Sequence, residues 1–459
     1  MTDLSGIIKA YDIRGLVGEQ LDTDVVAAIG AALARLLHAE GANRVVIGHD
    51  MRDSSPALVR AFAGGVTEQG LDVVHIGLAS TDMLYFASGT MAAPGAMFTA
   101  SHNPARYNGI KLCRAGAAPI GQDTGLAAIR EAVEAGVPQG PGGGTESVVP
   151  NSDVLADYAG YLRELVDLTG GRPLRVVVDA GNGMAGHTVP AVLGPPIEVV
   201  PLYFELDGTF PNHEANPLDP ANLVDLRRAV VAEGADLGLA FDGDADRCFV
   251  VDERGEPVSP SAITALVATR ELARHPGATI IHNLITSRAV PEIVAEHGGT
   301  PVRTRVGHSF IKQTMAQTGA VFGGEHSAHY YFRDFWRADS GMLAALHVLA
   351  ALGGAGKPGK PGKPGETLSQ LMAAYERYAA SGEVNSTVAD AAERIAAVRK
   401  RWADAECDEL DGLTVTLPDG SWFNLRPSNT EPLLRLNVEA ADAAAVAALR
   451  DEVLAVVRE

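Results

Sequence analysis

A hydroxyl, an imidazole and an amide stand side by side in Ser101-His-Asn103, three residues after an apolar run that ends at Phe98. The apolar run predicts a strand, so Ser101 should lie on the loop just beyond the end of that strand. Loops held by a rigid scaffold often carry reactive groups. Serine, asparagine and proline are also ordinary turn residues, and a polar turn is the alternative interpretation.

Three carboxylates alternate along the chain directly after the predicted strand Leu237–Phe241: Asp242, Asp244 and Asp246. They can turn toward one hard cation, since magnesium and calcium both prefer oxygen ligands. A calcium loop would add Glu253 at its twelfth position, but its sixth position needs glycine and holds Arg247. The residues from Cys248 onward also predict a strand. A magnesium site is therefore favoured, with a solvated acidic turn as the remaining alternative.

Two further polar stretches offer side chains that can bind a phosphate group or adjacent hydroxyl groups. Arg426-Pro-Ser-Asn-Thr430, with Arg435 beyond it, offers guanidinium, hydroxyl and amide donors to a phosphate group, although an ordinary turn would look similar. Glu325 and Ser327 lie two residues apart, and a carboxylate with a nearby hydroxyl can bind adjacent sugar hydroxyls.

A glycine-rich stretch, Gly181-Asn-Gly-Met-Ala-Gly186, follows a predicted strand and favours a rival function. The pattern is typical of dinucleotide-binding oxidoreductases, and Glu205 stands where such proteins contact a ribose. Against this, Val189-Pro190 should limit the following helix to little more than one turn. Glycines also serve close packing between a strand and a helix.

The composition narrows the class of protein. A chain of 459 residues with 50 glycines and 26 prolines predicts several domains joined by many turns. Its net charge of −20 disfavours a nucleic-acid partner. The same charge would repel a phosphorylated substrate unless positive charge is gathered locally. Three scattered cysteines argue against a disulfide framework, and no apolar run is long enough to span a membrane, so a soluble cytoplasmic protein is expected.

The elements that must position these residues alternate between strands and helices. They predict α/β domains over residues 1–150, 151–255 and 256–365 and an α+β domain over residues 366–459. In the first three domains a strand is predicted to run up to a phenylalanine and then a polar loop, at Phe98, Phe241 and Phe322. Ligands of open α/β sheets bind beyond the carboxyl ends of the strands. A low-complexity join, Gly353 to Gly365, contains Lys-Pro-Gly three times and predicts an exposed, semi-flexible connection.

Four motifs together resemble the α-D-phosphohexomutase family, in particular its phosphomannomutase/phosphoglucomutase branch, over essentially the whole chain. They are Thr99-Ala-Ser-His-Asn-Pro104, Asp242-Gly-Asp-Ala-Asp-Arg247, Gly324-Glu-His-Ser-Ala-His329 and Arg426-Pro-Ser-Asn-Thr-Glu-Pro432. The resemblance implies three α/β domains with mixed sheets and a smaller α+β C-terminal domain around a central cleft. It also implies a phosphomutase that interconverts hexose 6-phosphate and hexose 1-phosphate, of mannose and also of glucose, through a 1,6-bisphosphate intermediate.

The resemblance assigns expected roles to individual residues. Ser101 would carry the phosphoryl group, and its phosphate oxygen would complete a site for one Mg²⁺ per chain with Asp242, Asp244 and Asp246. The other expected catalytic residues are His102, Lys111, Arg247, Arg14 and His308. The expected substrate-binding residues are Lys9, Tyr11, Glu325, Ser327, His329, Arg426, Ser428, Asn429, Thr430 and Arg435. The expected partners are small phosphosugars, without nucleic acid or membrane, and the sequence leaves monomer and dimer open.

Two positions depart from the family pattern. Many relatives carry Asp-x-Lys where this chain has Asn283-Leu-Ile285, so a lysine near the sugar phosphate is missing. Ser287 and Arg288 are the residues expected to compensate. Ala328 stands where glycine is usual, and alanine resists a positive φ more than glycine does, so the loop could differ in geometry.

Overall fold

The computed structural model describes residues 4–8, 10–354, 365–428 and 433–459, with the backbone alone for His308. These residues fall into two units, and neither unit is one continuous segment of the chain. The first unit contains residues 1–258 and 327–371, and the second contains residues 259–326 and 372–459. Each unit is described by itself below.

The first sheet of the first unit is mixed. In chain order its region contains β1 (Ile13–Leu16), α1 (Thr23–Ala39), β2 (Arg44–His49), α2 (Ser55–Glu68), β3 (Asp72–Leu78), α3 (Thr81–Thr90), β4 (Gly95–Phe98), β5 (Tyr107–Arg114), β6 (Ala118–Pro119), α4 (Leu126–Ala135) and β7 (Glu146–Val148). The strand order is β1-β5-β4-β2-β3-β7, with β6 paired to β5. Strands β4, β2, β3 and β7 are parallel, whereas β5 is antiparallel to β1, β4 and β6.

The second sheet of the first unit repeats the mixed arrangement. Its region contains α5 (Asn151–Leu165), β8 (Leu174–Asp179), α6 (Ala185–Val192), β9 (Ile197–Leu202), α7 (Val224–Ala232), β10 (Leu237–Phe241), β11 (Cys248–Asp252) and β12 (Pro257–Val258). The strand order is β12-β11-β10-β8-β9, with β10, β8 and β9 parallel. Strands β10 and β11 form an antiparallel hairpin. The tip of this hairpin carries the three aspartates.

The next region is divided between the two units. The second unit receives α8 (Pro260–Arg274), β13 (Thr279–Asn283), α9 (Ala289–Glu296), β14 (Thr300–Thr304), α10 (His308–Thr318) and β15 (Phe322–Gly324). Strand β13 pairs in parallel with both β14 and β15. The first unit receives the antiparallel pair β16 (Tyr330–Phe332) and β17 (Ala338–Asp339), followed by α11 (Gly341–Gly353). A short helix, α12 (Leu368–Met372), follows.

The carboxyl-terminal region of the second unit is an antiparallel sheet with two helices. It contains β18 (Ala379–Thr387), α13 (Ala391–Arg401), β19 (Glu406–Asp408), β20 (Leu413–Thr416), β21 (Trp422–Pro427), β22 (Leu433–Ala440) and α14 (Ala443–Val457). The strand order is β18-β22-β21-β20-β19. Its core includes Val398, Phe423 and Val453, and the rings of Trp402 and Phe423 meet edge to face at 5.1 Å.

Helices α1 and α2 approach each other unusually closely because glycines face the partner backbone. A Cβ on Gly30 of α1 would lie 2.4 Å from the Phe62 carbonyl oxygen, and a Cβ on Gly65 of α2 would lie 2.0 Å from the Ala27 carbonyl oxygen. These distances are far below van der Waals contact. The absence of both side chains therefore lets the two helices cover the first sheet together.

Two predictions about elements were wrong in detail. Helix α6 does not end near Pro190 but continues to Val192, because the ring removes one hydrogen bond without ending an eight-residue helix. Phe322 begins β15 rather than ending it, so the polar loop starts after Gly324. Among the described residues, no helix has the length and apolarity needed to cross a bilayer.

The α1–α2 contact generates a stability prediction with a neighbouring control. Gly65→Ala should destabilise the protein by about 1–3 kcal/mol, because the new Cβ overpacks the α1 backbone. Gly64→Ala, on the exposed side of the same helix with nothing within 4 Å, should raise stability by up to about 1 kcal/mol through helix propensity. Urea denaturation of both variants and the parent measures the difference. Equal midpoints for the two variants would contradict the close approach.

Candidate active site

Ser101 lies on the loop between β4 and β5, as the sequence predicts, and its side chain is only 4% exposed. Its φ of 49° is a left-handed conformation, which costs a non-glycine residue about 1–2 kcal/mol. The Ser101 N–H donates to Thr99 Oγ1 at 2.9 Å, and its hydroxyl donates to Asp242 Oδ2 at 2.7 Å. The loop therefore places the serine hydroxyl in hydrogen-bonding contact with Asp242, one of the three aspartates that follow β10.

Arg52, in the loop after β2, holds the serine loop in place. Its buried guanidinium donates to four main-chain carbonyl oxygens of that loop, those of Ser101 at 3.0 Å, Asn103 at 2.7 Å, Pro104 at 3.0 Å and Tyr107 at 3.0 Å. Its Nε donates to Asp50 Oδ2 at 3.1 Å, so the buried charge is paired. One side chain thus donates hydrogen bonds to four carbonyl oxygens of the serine loop.

The serine loop also touches the tip of the β10–β11 hairpin through its backbone. A Cβ on Gly243 would lie 2.5 Å from the Ser101 carbonyl oxygen, so only glycine fits at this position. The hairpin brings Asp242, Asp244 and Asp246 together, with ligand oxygens within 4.8 Å of one another. The prediction that three alternating carboxylates converge agrees with this geometry.

The burial and hydrogen bonding of the three carboxylates indicate, independently of the family resemblance, whether they could bind a cation. All three side chains are at most 1% exposed. Asp244 Oδ1 and Asp246 Oδ1 are buried and accept no hydrogen bond from the residues that the structure describes. Buried carboxylate oxygens normally have partners, and an all-oxygen set suits a hard divalent cation. The residues present therefore fit a metal ion.

Two cationic side chains face the three carboxylates, and Arg247 is the more deeply buried of the two. Lys111, opposite Met97 in the β4–β5 pairing, donates to Asp244 Oδ2 at 2.6 Å and to Asp246 Oδ2 at 2.5 Å. Arg247 Nε donates to Asp242 Oδ2 at 2.9 Å. Three carboxylates and two cations leave one negative charge without a partner among these five side chains. Buried charge is stable only when it is paired or bound to a metal, so the deficit favours a cation.

The same contacts decide which groups carry protons. Burial disfavours the Lys111 ammonium, yet the neighbouring carboxylates of Asp244 and Asp246 raise the pKa of Lys111 above its ordinary value. Burial raises the pKa of Asp242, and the Arg247 guanidinium opposes that rise. Lys111 is therefore held in its cationic form.

His102 is held as a neutral imidazole. Arg247 Nη2 lies 2.5 Å from His102 Nδ1, and since a guanidinium can only donate, Nδ1 accepts this hydrogen bond. Burial, with the positive charge of Arg247, lowers the pKa of His102 well below its ordinary value. Ser101 Oγ lies farther from Nδ1, at 3.3 Å. In this arrangement the Nδ1 lone pair is directed at Arg247 rather than at the serine hydroxyl.

Two more predicted residues of the first unit join this cluster. Arg14 on β1 donates to Asn103 Oδ1 at 2.5 Å, which ties the first strand to the serine loop. His329 Nε2 lies 3.7 Å from Asp246 Oδ1, and His329 Nδ1 lies 3.0 Å from Ser327 Oγ. The preceding Ala328 adopts a φ of 64°, a left-handed conformation that glycine would favour.

In the second unit, Glu325 is buried after β15. Its Oε1 accepts from Asn283 Nδ2 at 3.2 Å and from the Gly307 N–H at 3.2 Å. Thr286 Oγ1 donates to Asn283 Oδ1 at 2.7 Å and so orients the amide. Asn283, which departs from the family pattern, thus positions the predicted sugar-binding carboxylate.

The residues expected to replace the missing lysine are engaged locally. Arg288 stacks on the Tyr378 ring at 4.2 Å and pairs with Glu292 at 3.1 Å. Ser287 Oγ accepts from the Ala289 N–H at 3.1 Å at the start of α9. These contacts stabilise the second unit and do not by themselves make either residue a substitute for the lysine.

Arg426 and Arg435 lie directly opposite each other on β21 and β22. Both pair with Glu383, at 3.1 Å and 3.2 Å, and Arg435 Nη2 donates to Ser428 Oγ at 3.1 Å. Like charges opposite each other across a sheet are destabilising, and an anion bound to both guanidinium groups offsets that repulsion. The pair therefore suits an additional anion such as phosphate.

Some predicted residues lie outside the described structure. These are Lys9, Asn429 and Thr430, the side chain of His308, and most of the Lys-Pro-Gly join. Tyr11 is described and lies two residues before β1.

The glycine-rich stretch that suggested a dinucleotide site serves packing. A Cβ on Gly183 would lie 2.7 Å from the Gly243 carbonyl oxygen, and a Cβ on Gly186 would lie 2.2 Å from the Phe204 carbonyl oxygen. The Met184 N–H donates to the Gly243 carbonyl at 2.9 Å. The turn thus packs against the backbone of the hairpin that carries the aspartates. Its glycines are required because any side chain at Gly183 or Gly186 would clash with a backbone carbonyl.

The calcium-loop alternative also disagrees with the structure. The β10–β11 pairing places Phe241 opposite Cys248, so the aspartates occupy a hairpin tip rather than a helix–loop–helix. Glu253, the residue in the twelfth position, accepts hydrogen bonds from the Ser369 N–H at 3.0 Å and from Ser369 Oγ at 2.5 Å.

Comparison with known proteins agrees with this geometry. Four sequence families match the chain in order: phosphoglucomutase/phosphomannomutase α/β/α domains I, II and III and the C-terminal domain, over residues 6–139, 156–255, 259–378 and 383–456. The chain is 42% identical over 454 residues to a phosphomannomutase of Salmonella typhimurium, a match that covers 96% of each chain. The chain belongs to the phosphoglucomutase/phosphomannomutase family.

Two more relatives support this membership. A phosphohexose mutase of Xanthomonas campestris pv. campestris is 43% identical over 451 residues, with 97% of each chain covered. The crystal structure of a phosphoglucomutase/phosphomannomutase family protein from Burkholderia thailandensis matches with a TM-score of 0.87 at 34% identity, over 100% of this chain and 98% of that one. The predicted family, the three α/β domains with a C-terminal domain, and the enzyme class of an isomerase that transfers phosphoryl groups are confirmed.

Arg52 and Thr81 also touch the site, although neither residue belongs to a predicted motif. Arg52 follows β2 and Thr81 follows β3, and both strands are parallel neighbours in the sheet that holds β4. Loops at the carboxyl ends of neighbouring parallel strands meet at one edge of the sheet. The polar residues after these two predicted strands were therefore a usable signal.

The Arg52 contacts generate a prediction about the serine loop. Arg52→Lys keeps the charge beside Asp50 but cannot reach four carbonyls, so it should cost about 3 kcal/mol or more of stability. Turnover per folded molecule should fall at least tenfold, since the serine would no longer be held against Asp242.

Arg163→Lys is the matched control, because Arg163 Nη1 also donates to a carbonyl, that of Ala191 at 2.7 Å, at an exposed helix end. Urea denaturation and steady-state kinetics on the same preparations measure both effects. Turnover of Arg52→Lys within threefold of the parent would refute a role for Arg52 in the serine loop.

Proposed function

We propose that the chain interconverts a hexose 6-phosphate and a hexose 1-phosphate by carrying a phosphoryl group on Ser101. The observation that supports this most strongly is the 2.7 Å hydrogen bond from Ser101 Oγ to Asp242 in a buried, cation-deficient carboxylate cluster. A serine placed beside a metal-type site suits phosphoryl transfer, which depends mainly on positioning and charge stabilisation.

The first half-reaction moves the phosphoryl group from Ser101 to the sugar. A bond forms between a sugar hydroxyl oxygen and phosphorus, and the bond from phosphorus to Ser101 Oγ breaks. The Lys111 ammonium gives a proton to the departing serine oxygen, and the proton of the sugar hydroxyl restores the ammonium. The resulting 1,6-bisphosphate then presents its other phosphate to Ser101, and the same steps run in reverse.

Arg247 and His102 act on charge and orientation in this proposal. Arg247 Nη2 lies 3.3 Å from Ser101 Oγ, close enough to stabilise negative charge on a phosphoryl group held there. His102, neutral and bonded to Arg247, orients that guanidinium. Arg14 and His308 complete the catalytic set that the family resemblance suggests.

We assign one Mg²⁺ per chain to Asp242, Asp244, Asp246 and the phosphate oxygen of Ser101. When bound, this ion supplies positive charge against the transferring phosphoryl group. Magnesium is favoured over calcium because it takes few protein ligands and commonly binds a substrate phosphate. Asp244 Oδ1 and Asp246 Oδ1, which have no hydrogen-bonding partner among the described residues, would be available to hold it.

The second unit is assigned to the sugar and its other phosphate. Arg426 and Arg435, which both pair with Glu383, would bind the phosphate that is not reacting, together with Ser428, Asn429 and Thr430. Glu325 would bind ring hydroxyls. The remaining substrate contacts assigned by resemblance are Lys9, Tyr11, Ser327 and His329.

Phosphorylation of Ser101 is the decisive test of this proposal. Ser101→Ala should lose the mass of one phosphoryl group in intact-protein mass spectrometry after incubation with hexose 1,6-bisphosphate, and its turnover should fall by about 10³-fold or more. Ser152→Ala, an exposed serine on α5, is the control and should behave as the parent does. Phosphorylation or near-parental turnover of folded Ser101→Ala would overturn the assignment.

The choice of sugar depends on whether any group contacts the hydroxyl at C2, where mannose and glucose differ. The resemblance directs Glu325 and Ser327 to the O3 and O4 hydroxyls, which have the same configuration in both sugars. A site that leaves O2 without a partner group leaves no buried polar group unpaired when the epimer binds. We therefore propose that both mannose and glucose phosphates are substrates.

This specificity proposal predicts that kcat/KM for mannose 1-phosphate and glucose 1-phosphate lies within roughly a hundredfold. N-acetylglucosamine phosphates, which enlarge C2, should be poorer substrates. Glu325→Gln should lower kcat/KM for both epimers by a similar factor, because its carboxylate contacts hydroxyls that they share. A preference above about ten-thousandfold would mean that another group contacts O2.

A further inference from the structure

The first turn of α3 makes direct contact with one of the aspartates at the hairpin tip. Thr81 Oγ1 donates to Asp244 Oδ2 at 2.6 Å, and the Thr81 N–H donates to the Asp244 main-chain carbonyl at 3.0 Å. Thr81 is fully buried. One residue, 163 positions earlier in the chain, therefore holds both the backbone and the side chain of Asp244.

These two contacts determine which Asp244 oxygen faces the cation-deficient cluster. Oδ2 accepts from Thr81 Oγ1 at 2.6 Å and from Lys111 Nζ at 2.6 Å, whereas Oδ1 accepts no hydrogen bond from any described residue. With the carbonyl of the same residue also held, the carboxylate has little freedom to rotate. Oδ1 is thereby left as a preoriented ligand.

The helix that carries Thr81 is itself anchored at the next residue. Asp82 is buried and accepts three hydroxyl hydrogen bonds, from Ser80 Oγ at 2.5 Å, Tyr158 OH at 2.7 Å and Ser340 Oγ at 2.7 Å. Tyr158 lies on α5 and Ser340 precedes α11, so three elements of the first unit meet at this carboxylate. These three hydrogen bonds hold the first turn of α3 in place.

We propose that Thr81 is a positioning residue for the cation-binding carboxylate of Asp244, so that the start of α3 sets the metal affinity of the hairpin. The inference rests on the magnesium site proposed above and concerns a residue that would not touch the ion. Hydrogen-bonding partners of metal ligands typically change metal affinity by 10–100-fold when they are removed. We expect a loss of metal affinity in the same range when the Thr81 hydroxyl is removed.

Thr81→Val removes the hydroxyl at nearly constant volume, and its methyl group cannot approach Asp244 Oδ2 as closely as 2.6 Å. Thr81→Ala removes the hydroxyl without adding a methyl contact, and Thr81→Ser keeps the hydrogen bond. The control is Thr90→Val at the other end of the same helix, where the hydroxyl donates to the Phe86 carbonyl at 2.9 Å.

The measurement is the dissociation constant for Mn²⁺, a hard-cation probe, by electron paramagnetic resonance on the full chain, phosphorylated on Ser101 by prior incubation with hexose 1,6-bisphosphate and then freed of the sugar. Thr81→Val and Thr81→Ala should bind 10–100-fold more weakly than the parent. Thr81→Ser and Thr90→Val should stay within threefold. The thermal shift that Mn²⁺ produces should shrink in the same order, because ligand stabilisation follows the ratio of concentration to dissociation constant.

The outcomes separate this inference from the function on which it rests. If the parent binds no Mn²⁺, the proposed metal site is wrong. If the parent binds and both hydroxyl-deleting variants bind within twofold of it, the positioning role is wrong, even where their melting temperatures fall. If Thr81→Val does not fold, Thr81→Ala decides by the same criterion.

Discussion

The structure of the first unit depends on burying several charged side chains together without leaving any of them unpaired. Asp242, Asp244 and Asp246 are almost fully buried, and Lys111 and Arg247 neutralise only part of their charge. Removing one partner from such a cluster exposes the full desolvation cost of the others. The surrounding loops must therefore hold each charged group in one position, and a divalent cation is the simplest way to complete the charge balance.

The chain meets this constraint with contacts between segments that are distant in sequence. Antiparallel pairing of β4 with β5 brings Lys111 beside the strand that leads to Ser101. The Arg52 guanidinium satisfies four carbonyls of the serine loop, and the missing side chain of Gly243 lets that loop touch the aspartate hairpin. Each of these contacts involves backbone atoms. Together they constrain the position of the serine more strictly than side-chain packing alone would.

Some sequence patterns are compatible with two physical causes, and the structure shows which cause applies. Gly181 to Gly186 has the spacing of a phosphate-binding turn, yet Gly183 and Gly186 are needed because carbonyl oxygens lie 2.7 Å and 2.2 Å from their absent Cβ atoms. Pro190 was expected to end α6, but proline inside a helix weakens it without always ending it. A glycine or a proline in a sequence indicates a constraint on backbone conformation or close approach. It does not indicate whether a ligand or another segment of the protein imposes that constraint.

Local periodicity and residue chemistry are enough to predict the alternation of strands and helices, the loop that carries Ser101 and the three-aspartate motif. Contacts between distant segments set the rest: Asp244 Oδ1 and Asp246 Oδ1 accept no hydrogen bond from the described residues, His102 Nδ1 accepts one from Arg247, and Arg52 and Thr81 belong to the site. Desolvation and hydrogen-bond geometry depend on neighbours that are far away along the chain. Those neighbours are chosen by strand order and close backbone packing, which no local pattern encodes.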